Sequence, residues 1–178
     1  MAKMSAGSAA VAEVLDHIAA LAGKYLTFCM GNEEYGLEIL RVREIIGLMD
    51  ITPVPRTPNY VRGVINLRGK VIPVVDLRLK FGLPPQDATE KTCIIVVQVN
   101  RAGAEVTMGI IVDEVSEVLD IAAELIEPSP DFGSSFNTDF ILGMGKVAKK
   151  VIMLLDVNKV LAAGEVDLTG TLPSESQS

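Results

Sequence analysis

Side chains suited to acid–base or nucleophilic chemistry are scarce in this sequence. Its one histidine, His17, stands ahead of the strand-like runs. A His-dependent triad, a His-metal cluster or a phosphohistidine mechanism therefore has a single, poorly placed candidate. Two Gly-Lys pairs look like phosphate loops at first glance. For Gly69-Lys70 a Walker A loop needs Gly where Val64 stands and Ser or Thr where Val71 stands; for Gly145-Lys146 the same places hold Phe140 and Val147. Both fail the pattern. The acidic run Asp113, Glu114, Glu117 and Asp120 lacks the loop glycine and ligand spacing of an EF-hand, and reads as a solvated face. Asp76 and Asp156 each end an apolar run and precede a short helix-period stretch, so both read as helix N-caps rather than as a catalytic carboxylate pair. Cys29 and Cys93 are too far apart in sequence for a CxxC site and read as small buried hydrophobes. No catalytic residue, metal site or cofactor is expected.

The elements that must carry any function are then the matter of interest. With 178 residues, 49% of them hydrophobic, the chain has room for one ordinary domain or two small ones around a real core. It has no apolar run of about 20 residues and no signal-peptide order at its start, and is read as cytoplasmic. The net charge of −7 argues against general nucleic-acid binding, but it is unevenly spread. Residues 41–80 hold eight basic side chains against three acidic ones, a local excess of +5. That basic stretch reads either as a docking surface for an acidic protein or as a scatter of solvated arginines.

Val11, Val14, Leu15, Ile18 and Leu21 follow helical spacing, with Gly23 as a stop, and mark an N-terminal extension over residues 1–23. From Lys24 the period changes. The runs 25–30 and 92–99 are β-branched and aromatic-rich, and each is followed by a turn cluster, so each opens a hairpin. Gly36–Ile46 aligns without gaps on Gly109–Leu119 at an offset of 73. Tyr60–Gly63 aligns on Phe140–Gly143, and Val71–Leu77 on Val151–Val157, at an offset of 80. The chain therefore reads as two copies of one β-rich unit, about 24–84 and 85–163, followed by a polar, disordered tail over 164–178. Several short strands per unit, with glycines at the bends, suit a small barrel, and two such barrels leave a groove for an extended or helical partner segment. In the first copy Asn66 and Gly69 frame a tight turn from which Arg68 projects, and the second copy has no arginine there.

These residues resemble the CheW family of chemotaxis coupling proteins. The likeness runs from about Lys24 to Leu161 and rests on Glu34-Tyr35-Gly36, Val42-Arg43-Glu44-Ile45, the stretch from Thr57 through Arg62-Gly63-Val64-Ile65-Asn66-Leu67-Arg68-Gly69, Val71 through Arg78, and Gly109 through Val118. The resemblance implies a mainly all-β fold of two SH3-like five-stranded barrels. It implies a non-catalytic adaptor, recruited to membrane-associated arrays, that bridges the cytoplasmic tip of a methyl-accepting chemoreceptor to the regulatory domain of the histidine kinase CheA. By motif position it places Val42, Glu44, Arg68, Gly109, Val115 and Val118 at the receptor-facing groove, and Glu44, Ile45 and Gly63 where the family meets the kinase. A CheW-like scaffold in a non-motility chemosensory array is the alternative. A ligand-binding or enzymatic β-barrel lacks converging polar groups, and a phosphoacceptor receiver domain lacks the βαβ alternation it needs.

Overall fold

The computed structural model describes residues 18–130 and 139–161, with residues 12, 13 and 16 besides. Strands β1 (Gly23–Met30) and β2 (Glu33–Glu38) make a hairpin, and a 3-10 turn at Ile39–Arg41 leads into β3 (Val42–Gly47). A second hairpin, β4 (Val61–Leu67) and β5 (Lys70–Asp76), ends in the short helix α1 (Leu77–Lys80). The order then recurs as β6 (Cys93–Arg101), β7 (Ala104–Val112), β8 (Glu114–Ile121), a 3-10 turn at Ala123–Leu125, the two-residue β9 (Ile126–Glu127), β10 (Ile141–Val147) and β11 (Lys150–Leu155). The described residues are thus all-β apart from short helical turns. The carboxylates of Asp76 and Asp156 accept from the amides of Leu79 and of Asn158 and Lys159, so both act as the N-caps their positions imply.

The strands do not sort by halves of the chain. One sheet runs β3-β6-β7-β5-β4 and the other β8-β1-β2-β11-β10-β9. Each half sends its leading hairpin into the other half's sheet: β6–β7 completes the first unit, and β1–β2 the second. The packing units therefore differ from the segments 24–84 and 85–163. A continuous apolar run such as that of β6 specifies that a strand is buried on both faces, but not which strand lies beside it.

The two units nevertheless match down to their irregularities. β2 pairs in parallel with β11, setting Gly36 opposite Leu154, and β7 pairs in parallel with β5, setting Gly109 opposite Val74. Bulges interrupt β1–β8 at Thr27/Phe28 and β3–β6 at Val42/Glu44. They also interrupt β10–β11 at Ile141/Gly143 and β4–β5 at Val61/Gly63. β9, which makes the second sheet six-stranded, answers to a single bridge between Thr52 and Val64 in the first.

Burial follows from this arrangement. Along β6, Ile94 and Val96 face the interior of the first unit, while Ile95, Val97 and Val99 face a larger core shared by both sheets. Along β1, Tyr25 enters the interior of the second unit, and Leu26, Phe28 and Met30 enter the shared core. Thr27, fully buried, donates its hydroxyl to the Glu117 carbonyl at 2.8 Å and accepts from the Glu117 amide at 3.2 Å, satisfying itself at the bulge.

Gly63 has φ +138°, and a Cβ there would lie 2.0 Å from the Thr52 carbonyl oxygen. Only glycine admits the strap that bridges Thr52 to Val64. Gly63→Ala is expected to cost about 2–4 kcal/mol in urea unfolding, through strain plus displacement of that strap. An unchanged midpoint would contradict this packing.

Candidate functional site

The edge strand β3 carries most of the candidate residues. The bulge at Val42/Glu44 resets its alternation: Glu44 and Ile46, opposite Val96 and Ile94, lie on the face toward the first unit's interior, while Val42 and Ile45, opposite Val97 and Ile95, lie on the other. Glu44 accepts a charge-assisted hydrogen bond from the Arg68 guanidinium at the β4–β5 turn. Both turn residues, Arg68 and Gly69, have positive φ (52° and 87°), as a two-residue type I′ hairpin demands. The Asn66 side chain accepts from the Gly69 amide at 2.9 Å and steadies the turn. At the matching turn of the second unit Ala148 and Lys149 carry the positive φ, so the projecting arginine belongs to the first unit alone. Hydrogen bonding to Glu44 raises the Arg68 guanidinium above its ordinary value. Arg43, Leu67, Lys70 and Thr107 join the pair around a cavity of about 230 Å³.

On the outward side of β3, Ile45 is 44% exposed, and Leu48, Met49 and Val54 follow at 38–39%. They form an apolar end to the first unit, with the Gly63 strap carrying Val54. Gly63 itself is buried, and so is Gly109, where a Cβ would lie 2.8 Å from Ile94 Cγ2. Any part these two glycines take in docking passes through the backbone they let approach. Val42 and Val115 occupy equivalent places in the two units and both pack on the shared core. Val118, the counterpart of Ile45, is 50% exposed on β8. The structure thus brings Glu44 and Arg68 into contact, places Ile45 on the opposite face of the same strand, and assigns Val115 and Val118 to the other sheet.

Sequence reasoning missed the patch of Leu48, Met49 and Val54. The repeat offset held a signal: Leu48 corresponds to Ile121, which is fully buried, so one copy of that position is covered and the other is not. It also missed a clamp. Asp113, grouped above with a solvated acidic run, pairs with Arg78 at 2.6 Å and accepts from the Gly31 amide at 2.8 Å, while Arg78 Nε donates to the Pro84 carbonyl at 2.9 Å. Arg78 is nearly buried, with its side chain 13% exposed. One guanidinium therefore ties α1, the linker after it, the β1–β2 turn and the start of β8. The other acidic residues of that run are surface groups: Glu114 pairs with Lys91 and Asp120 with Lys24. Cys29 and Cys93 are half-buried rather than buried, and burial raises the Cys93 thiol, which disfavours its reactive thiolate. Among the described residues no group of three His, Cys, Asp or Glu side chains is placed to hold a metal ion, and no helix is long and apolar enough to cross a membrane.

Comparison with known proteins supplies the context for this site. The family model described as the CheW-like domain matches residues 24–165. The chemotaxis protein CheW of Klebsiella aerogenes is 39% identical over 145 residues, covering 82% of this chain and 85% of that one. The chemotaxis protein CheW of Helicobacter pylori is 38% identical over 138 residues, covering 78% and 81%. The crystal structure of the scaffolding protein TtCheW from Thermoanaerobacter tengcongensis superimposes with a TM-score of 0.69 at 36% identity, over 79% of this chain and 92% of that one.

The clamp gives a direct test of how the two units are held. Arg78→Ala leaves a partly buried carboxylate without its cation and is expected to cost about 2–3 kcal/mol. Arg78→Lys should recover less than half of that loss, since one ammonium cannot make both fork contacts. Urea melts that match wild type for either variant would contradict the assignment.

Proposed function

The chain belongs to the CheW family, and on that premise we propose that it is a chemotaxis coupling protein without catalysis of its own, joining chemoreceptors to the kinase CheA in a membrane-associated array. The observation that carries the reading is the two-sided construction of β3. Side chains alternate along a strand, so neighbouring residues can serve different partners across one edge. Glu44 and Arg68 form a polar anchor on one side, and Ile45 with Leu48, Met49 and Val54 forms an apolar face on the other.

The receptor's helical tip suits the first of these, where Arg68 provides forked donors for a carboxylate or backbone carbonyl at the rim and Gly109 lets the strands beneath pack closely. Val42 and Val115, at the border of the shared core, and the exposed Val118 add apolar contacts for one stripe of a helix that reaches across the junction of the two units. The kinase suits the second. An exposed apolar patch with Arg62 beside Leu48 is the composition of a protein-docking face. Glu44 belongs to both sides: it holds Arg68 and lies next to Ile45. Gly63 supports the kinase side by admitting the Thr52–Val54 strap.

A reconstituted assay tests this reading. Purified CheA and chemoreceptor in membranes, supplied with the protein, should incorporate phosphate much faster than without it, and attractant should suppress the gain. Arg68→Ala should weaken receptor capture about tenfold while CheA capture is kept and the melting midpoint moves by no more than about two degrees. Ile45→Asp should do the reverse, losing CheA and keeping receptor. Failure of the wild-type protein to bind either partner would refute the coupling role. Equal loss of both partners in each variant would refute the split between faces.

A further inference from the structure

The repeat makes each unit a control for the other at the mouth beside the hairpin tip. In the second unit that mouth is neutralised by its own chain. Lys150 donates to Glu34 at 2.8 Å, and that bond, with the charge of Glu117 adding to it, raises the ammonium above its ordinary value. Glu34 lies opposite Ile152 in the parallel β2–β11 ladder, with its side chain 18% exposed. Uncharged Ser116 and Cys29 meet at 3.5 Å beside it. Carried to the first unit, these positions change their charges. The offset of 80 takes Lys150 to Lys70, and the offset of 73 takes Glu34 to Thr107 and Ser116 to Arg43. Arg43 donates to Gln98 at 2.6 Å, as Ser116 meets Cys29, and Ile72 and Thr107 line one cavity, as Ile152 and Glu34 lie opposite each other. The lysine thus stands in its place without its carboxylate, and an arginine stands where the second unit has a serine. Neither Lys70 nor Arg43 meets a carboxylate among the described residues, and Glu44 is engaged by Arg68. Around this cavity of about 230 Å³, Arg43, Arg68 and Lys70 stand against the single carboxylate of Glu44. Exposed Glu105, the next residue on the Thr107 side of β7, still leaves the mouth positive. Like charges gathered there repel one another, so an anion placed among them is favoured.

We propose that the mouth of the first unit recognises a carboxylate, and that an acidic side chain of the receptor's helical tip enters it between Lys70 and Arg43, in the place that Glu34 fills in the second unit. The chemistry of the occupant is read from the second unit, where the same lysine position holds a glutamate. The partner follows from continuity, because the mouth is bounded by Glu44 and Arg68, the polar anchor assigned to the receptor. Leu67, Ile72 and Val96 line the rest of the cavity, and apolar walls weaken the screening of a charge pair formed inside it. Arg68 and Glu44 keep their bond and form the rim, while Lys70 and Arg43 select for an acidic residue. The inference deepens the receptor reading of this side and rests on it.

Capture of chemoreceptor in membranes by the full chain tests it, with CheA capture and the melting midpoint measured alongside. Thr107→Glu gives the first unit the carboxylate that the second one has. It should pair with Lys70 in cis and weaken receptor capture about tenfold. Lys70→Gln and Arg43→Gln, both at exposed positions, should each weaken it about fivefold, the upper scale of one solvent-facing ion pair. Wild-type capture should fall steeply between about 50 and 500 mM sodium chloride, and the Lys70→Gln/Arg43→Gln chain should show a flatter fall. CheA capture and the midpoint should stay as in wild type. Receptor capture by the double variant equal to wild type, or wild-type capture indifferent to salt, would overturn the proposal. So would loss of CheA capture with receptor capture kept, which would make the kinase the source of the carboxylate. Should Thr107→Glu fail to fold, the two surface variants decide alone. Receptor capture lost in Arg68→Ala but unchanged in the double variant would remove this inference and leave the coupling role standing. No receptor capture by the wild-type chain would remove both.

Discussion

The parallel pairing of β2 with β11 and of β7 with β5 is the constraint on which the molecule depends. It joins residues far apart in sequence: Ile152 lies opposite Glu34, and Val74 opposite Gly109. Each unit is a continuous sheet only because a hairpin from the other half of the chain has been inserted into it. Neither half can bury its own strand edges, and an unpaired edge exposes backbone donors and acceptors that must find partners elsewhere. The shared core, with Phe28, Leu37, Ile95, Val97 and Ile110 at 1% exposure or less, is the surface along which the exchanged hairpins meet.

That exchange bears directly on function. A coupling protein must hold two faces at a fixed relation, so that a change at one partner reaches the other. On the proposed reading the faces lie on β3, and that strand is paired to β6, the inserted hairpin of the other half. The Arg78–Asp113 clamp adds a second tie, linking α1 of the first half to the β1–β2 turn and to the start of β8. Movement of one unit against the other would have to break this ion pair and disturb the core that both sheets share. The geometry is that of a rigid spacer with soft attachments at its ends: a hairpin-tip arginine, an apolar edge, and a short N-terminal segment laid across the remaining one.

Much of this was legible in the residues. The offsets of 73 and 80 recovered equivalences that hold down to individual bulges, because glycines and aspartates at bends are placed by backbone geometry and so recur when the geometry does. Asp76 and Asp156 were recognisable as caps for the same reason. The choice of strand partner was not legible. Ile94 through Val99 reads as a strand buried on both sides wherever it sits, and nothing in that run distinguishes β3 from β8 as its neighbour. The role of Asp113 was hidden by its acidic neighbours, since its partner Arg78 comes from 35 residues away. The open patch at Leu48, Met49 and Val54 escaped notice because exposure depends on what covers a residue, and the cover at the matching site comes from Ile18 and Leu21, ahead of the repeat. Arg68 was the easiest site residue to find, as a charged side chain at a turn whose backbone its neighbours define.

The reciprocal insertion of hairpins can be tested by cutting the chain where the repeat divides. Fragments covering residues 1–84 and 85–178, prepared separately at low micromolar concentration, should each lack a cooperative thermal transition, and mixing them in equal amounts should restore the β-type circular dichroism and the melt of the intact protein. A fragment that folds alone as a monomer, with its own cooperative transition, would contradict the account.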